Sequence, residues 1–246
     1  MQIAKPDFQD QLVRGLSHRM NNILTLFHGY LGLLLENDNL DPGTQEGLAR
    51  IKEGARIATD LMDRTNALAR PRNIIPRQVT IPDFLNQLGP SFEKLADGPG
   101  KVTVECEPDM PFAWADQSRL RIALTELVKN ACEAIQPTGT VHIRCASTDT
   151  PPAQAVSASE ESAPSKWITI SVIDDGRGIT PDIDEQIYLP FITTKKRDTI
   201  AGLGLTVAAG CMEQIGGVIT HESCPGRTIF RLTVPAVRTR PEDSAA

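Results

Sequence analysis

The stretch that decides the fold is Leu124–Ile135, with the sequence LTELVKNACEAI. Its apolar side chains recur at steps of three and four, the spacing of one helix face, and are Leu124, Leu127, Val128, Ala131 and Ile135. Glu126, Asn130 and Glu133 follow each other on the opposite face, one turn apart. Carboxylate and carboxamide oxygens suit a hard cation such as Mg²⁺, which is usually shared with substrate phosphates. Taken alone, the row is equally compatible with the solvated face of an ordinary amphipathic helix.

The composition indicates a soluble chain of one large or two modest domains, because 246 residues with 40% hydrophobic content can bury a core. A net charge of −6 argues against nucleic-acid binding and against an anionic membrane surface. Residues 1–10 do not resemble a signal peptide, and the apolar run around Leu31–Leu35 is far too short to cross a membrane. The five cysteines form no CxxC pair and are interpreted as reduced thiols, so we expect a cytoplasmic protein without membrane insertion.

Two long helices are predicted in the N-terminal region, residues 1–70. The first runs from Phe8 to about Glu36, and the second begins after Asp41 as N-cap, with Pro42 at its first position, and continues to about Leu68. An antiparallel pair of such helices exposes too much apolar surface to stand alone. We therefore expect a homodimer in which two hairpins form a four-helix bundle.

A mixed pattern of strands and helices follows a linker at residues 71–78. The expected elements are helices near 81–95, 124–135 and 204–215 and strands near 102–106, 141–145, 167–173, 218–221 and 228–234. This order predicts an α/β sandwich, one sheet with helices on one face, over residues 79–237, and hence an α+β protein overall. Residues 147–166 are predicted to be a disordered insertion and residues 238–246 a tail.

Three further motifs follow the central helix. Asp174–Ile179 (DDGRGI) is a strand end followed by two glycines, which is also the pattern of a plain β-turn. Phe191–Lys196 (FITTKK) comes next, and Ala201–Leu205 (AGLGL) then opens a helix. Glycines at a helix N-terminus let a phosphate approach backbone N–H groups, and the helix dipole favours the anion. Each motif is weak evidence when taken separately.

In this order and at these separations, the motifs resemble the ATP-binding domain of histidine kinases, a fold shared with type II topoisomerases and heat-shock chaperones. DDGRGI resembles the first glycine motif of that domain, FITTKK its phenylalanine motif and AGLGL its second glycine motif. The resemblance covers about Ile81 to Pro235. It implies that Asn130 coordinates Mg²⁺, that Glu126 supports it or polarises the attacking group, and that Asp174 accepts a hydrogen bond from the adenine amino group. The other residues that it implies for ATP binding are Gly176, Gly178, Ile179, Lys195, Gly202, Leu203, Gly204 and Thr228.

Gly15–Thr25 (GLSHRMNNILT) is similar to the phospho-acceptor box of the same family. The polar residues at steps of three and four around its histidine are Gln11, Arg14, His18, Asn22 and Thr25, so we expect His18 to face solvent. A neutral imidazole nitrogen would attack the γ-phosphorus of ATP. The phosphoryl group would then pass to an aspartate on the receiver domain of a response regulator. His28, His142 and His221 lie in no comparable motif.

Three features depart from the family pattern: the residue after the histidine and two of the glycine motifs. Arg19 replaces the Glu or Asp that usually follows the histidine, which leaves the general base unassigned and should disfavour a protonated imidazole. Asn22 matches the Asn or Thr position implicated in orienting water for dephosphorylation of the partner, an activity that lacks its acidic residue here. The second glycine motif is preceded by Ile200 and begins at Ala201, where the family usually has Gly-Thr. The last glycine motif, PGRTIF, has one glycine where two are common.

The sequence therefore predicts an ATP-dependent protein-histidine kinase that phosphorylates His18. Two alternatives stay open: a histidine phosphotransfer or scaffold protein with a vestigial ATP domain, favoured by Arg19 and the shortened last glycine motif, and an ATP-driven switch without phosphohistidine. The motifs contain no sensor and no receiver domain. The signal would come either from a separate sensory protein or from a larger chain of which this is a part.

Overall fold

The structure is a computed structural model that describes residues 8–69, 74–96, 101–135, 139–152, 166–194 and 202–237. It confirms the α+β class: two helices precede a mixed sheet with further helices. Of the described residues, 8–69, 193–194 and 202–203 belong to one compact unit, and the rest belong to another. Within the described ranges, no helix combines the length and the apolar character needed to cross a membrane.

The N-terminal unit is an antiparallel pair, α1 (Phe8–Leu35) and α2 (Pro42–Leu68). Asp41 caps α2, because its Oδ1 accepts the Thr44 N–H over 3.0 Å. Buried side chains between the helices include Leu24, Leu31 and Ala55. Polar contacts fix the register: Asn21 Nδ2 donates to Asp63 over 3.5 Å, and His28 Nε2 lies 3.2 Å from Thr59 Oγ1.

A second apolar row on α1 remains exposed in the single chain. Its members recur at steps of three and four and are Leu16, Met20, Ile23, Phe27, Tyr30 and Leu34. We call this row the exposed apolar stripe. Exposed fractions of 47% for Ile23 and 51% for Phe27 show that it is a separate face from the one packed on α2. Contiguous apolar surface of this kind is typical of interaction sites.

The second unit contains seven strands and four helices within the described residues. The strands are β1 (Arg77–Val79), β2 (Val102–Cys106), β3 (Phe112–Ala115), β4 (Val141–Thr148), β5 (Lys166–Asp174), β6 (Val218–Cys224) and β7 (Arg227–Val237). The helices are α3 (Ile81–Leu95), α4 (Gln117–Ala134), α5 (Pro181–Asp184) and α6 (Gly204–Gln214).

The sheet has the order β1-β3-β7-β5-β4-β2, and β6 pairs with β7. Only β2 and β4 are parallel; the other pairs are antiparallel. In β4, Val141, Ile143 and Cys145 are buried, whereas His142 and Arg144 between them are exposed. This alternation buries one face of the sheet, and the apolar side of α4 is buried with it.

Several elements differ from the sequence-based expectation. The short elements β1, β3 and α5 were not predicted, because three or four residues carry too little periodicity and the two strands depend on pairing with each other, as Gln78 with Trp114. β1 begins at Arg77, inside the stretch expected to be linker. β4 continues to Thr148 and β5 begins at Lys166, since cross-strand pairing extends both into the expected insertion. Residues 153–165 and 238–246 lie outside the described residues.

Candidate functional site

Helix α4 presents two of the three polar side chains singled out from the sequence. Asp116 caps the helix by accepting the Ser118 N–H over 2.9 Å and the Arg119 N–H over 3.2 Å. The apolar face is buried and includes Leu120, Leu124, Leu127, Val128 and Ala131. Glu126 and Asn130 are half-buried, whereas Glu133 is exposed. The structure therefore keeps Glu126 and Asn130 together and leaves Glu133 in solvent.

The N-terminus of α6 lies directly against this pair. A Cβ built on Gly204, the first residue of α6, would stand 2.8 Å from Glu126 Oε2 and 3.3 Å from Asn130 Nδ2. Glycine at this position lets the helix start approach the two side chains closely. The free N–H groups of the first turn and the helix dipole favour an anion here. The carboxylate and carboxamide oxygens beside this helix start are a donor set that fits Mg²⁺.

Asp174 ends β5 and is buried, with a side chain 3% exposed. Its Oδ1 accepts the Gly176 N–H over 2.9 Å, and its carboxyl group is also hydrogen-bonded by the Thr228 side chain. Burial, assisted by the charge of Asp175, raises the pKa of Asp174 to about 6. The group is therefore still ionised at neutral pH and can accept a hydrogen bond in a site with little water.

The loop after Asp174 packs on the end of α4. A Cβ on Gly176 would stand 2.6 Å from Asp174 Oδ1 and 2.9 Å from the Ala134 Cβ, so only glycine fits. Ala134 is four residues beyond Asn130 and lies about 6 Å further along the same helix face. Helix α4 thus brings the carboxamide of Asn130 and the buried carboxylate of Asp174 to neighbouring positions.

Strand β6 holds the remainder of this loop. Gly178 has a φ of +80°, and a Cβ there would stand 2.7 Å from the Cys224 carbonyl oxygen. The Ile179 N–H donates to Ser223 Oγ over 2.8 Å, and Ser223 Oγ lies 3.3 Å from Thr228 Oγ1. Ser223 was not singled out from the sequence. The sequence signal that could have identified Ser223 is the hairpin turn at Pro225-Gly226, because this turn pairs Ser223 with Thr228.

The remaining predicted nucleotide residues are only partly described. Gly202 has a φ of +93°, a conformation that favours glycine, and Leu203 is buried with 3% exposure. Lys195 lies outside the described residues. The cluster that the structure brings together consists of Glu126, Asn130 and Gly204 on one side and Asp174, Gly176, Gly178, Ile179 and Thr228 on the other.

His18 is exposed on α1, one residue beyond Ser17, which is buried with 3% exposure. Asn22 Nδ2 lies 3.4 Å from His18 Nδ1, as expected for residues one turn apart. If the Asn22 amide N–H donates to Nδ1, the proton of a neutral His18 ring lies on Nε2. If the Asn22 amide is rotated so that its oxygen faces the ring, Nδ1 carries the proton and donates to that oxygen, and the Nε2 lone pair is free. Arg19 is exposed as well. The side chains of Gln11 and Arg14 lie outside the described residues.

Comparison with known proteins gives matches over both units. Residues 115–238 match the family described as histidine kinase-, DNA gyrase B- and HSP90-like ATPase, and residues 8–74 match the His Kinase A (phospho-acceptor) domain. The sensor kinase CckA of Brucella abortus is 28% identical over 227 residues, covering 92% of this chain and 24% of CckA. The sensory histidine kinase/phosphatase NtrB of Rhodobacter capsulatus is 28% identical over 220 residues, covering 89% of this chain and 60% of NtrB.

A solved structure shows the same fold. Full-length ShkA in complex with AMPPNP superposes with a TM-score of 0.69 at 23% identity, covering 93% of this chain and 46% of that one. The chain thus spans 24% and 60% of the two curated relatives and less than half of this structure.

Proposed function

The chain belongs to the histidine kinase family, with a phospho-acceptor domain followed by a histidine kinase-, gyrase B- and HSP90-like ATPase domain, and from this we propose that it transfers the γ-phosphoryl group of ATP to His18. The observation that carries the proposal is the cluster in which Gly204, at the start of α6, abuts Glu126 and Asn130, one helical turn from the loop of Asp174. That cluster offers one end to a base and the other to phosphates.

The adenine would be read by Asp174. Its carboxylate is buried, and its N–H partner comes from Gly176, so an adenine amino group can approach the remaining acceptor capacity of the two oxygens. Thr228 adjoins the same carboxylate. A hydrogen bond made inside a buried site discriminates strongly against a base that lacks the donor, because the carboxylate would then be left unpaired.

The phosphates would lie at the N-terminus of α6, which begins at Gly204. The resemblance to histidine kinases implies that Gly202, Leu203 and Lys195 would also contribute to phosphate binding. Asn130, with Glu126 beside it, would hold Mg²⁺. A bound Mg²⁺ neutralises the charge of the phosphates and of the leaving ADP. The observation that tests this fit is the close approach of Gly204 to both oxygen-bearing side chains.

At the acceptor, a nitrogen lone pair of the neutral His18 ring forms the N–P bond while the bond from the γ-phosphorus to the bridging oxygen breaks and ADP leaves. The ring proton then passes to solvent. Asn22 would orient the ring: with its amide oxygen turned towards Nδ1 it would accept the Nδ1 proton and leave the Nε2 lone pair free for the attack. Glu126 is the further candidate for polarising the attacking group.

The phosphoryl group would next pass to an aspartate of a response-regulator receiver domain, and the active form would be a homodimer. Two observations support the dimer: the exposed apolar stripe on α1 and the match to a phospho-acceptor domain. A four-helix bundle formed from two hairpins would cover the stripe. The signal would come from a separate sensory protein or from a larger chain of which this is a part.

The decisive experiment incubates the purified chain with Mg²⁺ and γ-labelled ATP and measures acid-labile, alkali-stable label. We expect label on the wild type, its loss in His18→Gln, and its absence in Asn130→Ala. His142→Gln is the matched control, because His142 is an exposed histidine on β4 outside the cluster. It should label like the wild type.

Other outcomes identify the alternatives. Label that persists in His18→Gln would show that the acceptor is another residue. Nucleotide binding without label would favour a conformational switch. A protein that binds no nucleotide but accepts a phosphoryl group from a phosphorylated receiver domain would be a phosphotransfer protein, the function that Arg19 favours.

A further inference from the structure

His221 lies at the centre of a side-chain cluster that the proposed chemistry does not use. It sits on β6 and is 17% exposed. Its Nδ1 lies 3.0 Å from the Tyr188 hydroxyl, and its Nε2 lies 3.0 Å from Asp184 Oδ1. The ring also packs edge-on against Tyr188 at 5.5 Å and tilted against Phe230 at 5.8 Å.

The proton positions in this cluster follow from the partners. A carboxylate can only accept hydrogen bonds, so the hydrogen bond between His221 and Asp184 requires a proton on Nε2. In a neutral ring Nδ1 is then an acceptor, and the Tyr188 hydroxyl donates to it. Burial and the nearby charge of Asp184 raise the pKa of Tyr188, which keeps this hydroxyl protonated. Both ring nitrogens of His221 and the Tyr188 hydroxyl therefore have a hydrogen-bond partner.

Asp184 and Tyr188, the two hydrogen-bond partners of His221, lie in the segment that connects the first glycine motif to the phenylalanine motif. Asp184 ends α5, shortly after Ile179 in the first glycine motif, and Tyr188 comes three residues before Phe191. On β6, Ser223 stands two residues beyond His221, hence on the same side of the strand, and accepts the Ile179 N–H. Strand β6 thus ties this connecting segment at its start through Ser223 and further along through His221.

We propose that His221 is a positioning residue for nucleotide binding: by bridging Tyr188 and Asp184 it fixes the segment 179–191, which leads from the first glycine motif to the phenylalanine motif. The inference rests on the proposed nucleotide site, and His221 itself does not touch the nucleotide. Its effect is preorganisation, because a segment that is already ordered loses less conformational entropy when the ligand binds.

The test compares three substitutions of His221 and its partner. His221→Phe keeps an aromatic ring between Tyr188 and Phe230 but removes both hydrogen bonds. His221→Gln supplies one acceptor and one donor, as the neutral imidazole does. Tyr188→Phe removes only the hydroxyl and leaves the ring packing. His142→Phe is the matched control, since this exposed histidine of β4 contacts Thr103 and Thr140 instead.

We expect His221→Phe to raise the KM for ATP about tenfold with a smaller change in kcat, and His221→Gln to recover most of the loss. Tyr188→Phe should weaken binding about threefold, and adding it to His221→Phe should cause no further loss, because the two residues act as one unit. Amide hydrogen exchange without nucleotide should be faster over residues 181–194 in His221→Phe and unchanged in β4 and β5. His142→Phe should match the wild type in both measurements.

An unchanged KM in His221→Phe, or an equal loss in His221→Gln and His221→Phe, would overturn the proposal. Uniformly faster exchange across the whole sheet would also overturn it, because His221 would then be a general stabilising residue. A wild type that binds no nucleotide would refute the proposed function instead, and the exchange of residues 181–194 would still decide whether His221 anchors the segment.

Discussion

Gly204 stands so close to Glu126 that a Cβ on the glycine would lie 2.8 Å from the carboxylate oxygen Oε2. This contact joins the start of α6 to the polar row of α4. It explains why a glycine follows Leu203 at the point where the helix begins, since a side chain there would collide with Glu126. The geometry of the proposed phosphate site therefore depends on the absence of a Cβ at residue 204.

Gly204→Ala should therefore impair nucleotide binding more than folding. The added methyl displaces the flexible end of Glu126 and presses on Asn130, so we expect ATP affinity to fall at least about tenfold while the free energy of unfolding changes by about 1 kcal/mol or less. Equilibrium nucleotide binding and urea unfolding measure the two quantities. Gly54→Ala in α2, where a Cβ meets nothing within 4 Å, should gain about 1 kcal/mol of stability and bind ATP normally.

Asp174 makes stability depend on pH. Its folded-state pKa of about 6 lies above the ordinary value of 3.8, so between these values the folded state binds more protons than the unfolded state. The stabilising contribution of the protonated carboxyl is complete below the ordinary pKa and is lost as pH rises through about 6. The shift corresponds to about 3 kcal/mol.

Asp174→Asn should remove this dependence. We expect the variant to exceed the wild type in unfolding free energy by up to about 3 kcal/mol at neutral pH, and the difference to disappear near pH 4, because the uncharged amide is not penalised by burial. Its ATP affinity should fall, since a carboxamide is a weaker acceptor for the adenine amino group. Asp175→Asn, at the neighbouring exposed position, should shift the pH profile only slightly towards lower pH, because the Asp175 charge raises the pKa of Asp174 less than burial does. Equal profiles for wild type and Asp174→Asn would contradict the raised pKa.

Removal of the Asn130 carboxamide should abolish the dependence of ATP affinity on Mg²⁺. Wild-type affinity for ATP should fall when Mg²⁺ is removed by a chelator, whereas Asn130→Ala should bind weakly with and without Mg²⁺. The measurement is the ratio of the two dissociation constants for each protein. Glu133→Ala, a change on the same helix at an exposed position, should keep the wild-type ratio. A ratio in Asn130→Ala equal to that of the wild type would remove this residue from the metal site.

The exposed apolar stripe predicts a dimer that charge can break. Phe27→Glu would bury a carboxylate in an apolar interface, which costs several kcal/mol, so we expect a monomer in sedimentation equilibrium. Thr25→Glu changes an exposed position of the same helix outside the stripe, and this variant should remain dimeric. If the wild type sedimented as a monomer, the stripe would have another occupant.

Alanine substitutions at Gly178 and Gly226 distinguish the cost of a left-handed backbone conformation from the cost of a steric clash. Both have positive φ, +80° and +84°, but a Cβ on Gly178 would meet the Cys224 carbonyl oxygen at 2.7 Å, whereas Gly226 faces open space. Gly226→Ala should cost about 1–2 kcal/mol of unfolding free energy from the left-handed conformation alone. Gly178→Ala should cost at least about twice as much, because the obstructing atom is backbone. Similar losses in the two variants would show that the loop can move.

Local sequence was sufficient for the long helices and for the order of the motifs. The apolar steps of α1 and α2, the cap at Asp41, and the strand end with its glycine turn at Asp174 each depend on neighbouring residues, whose periodicity and turn chemistry the sequence displays directly. The exposure of His18, Asn22 and Thr25 follows from the same helical spacing. These features also carried the resemblance to histidine kinases.

Only the tertiary structure decided which of those residues meet. Glu126, Asn130 and Glu133 look equivalent on a helical face, yet the packing of α6 selects the first two, since Gly204 approaches them and Glu133 stays in solvent. The raised pKa of Asp174 comes from burial, a property of the whole fold. The role of His221 could not be predicted from the sequence, because its hydrogen-bond partners lie 33 and 37 residues away in the chain. Helical periodicity is encoded between neighbours, but burial and contacts between distant segments exist only after the sheet and helices have packed.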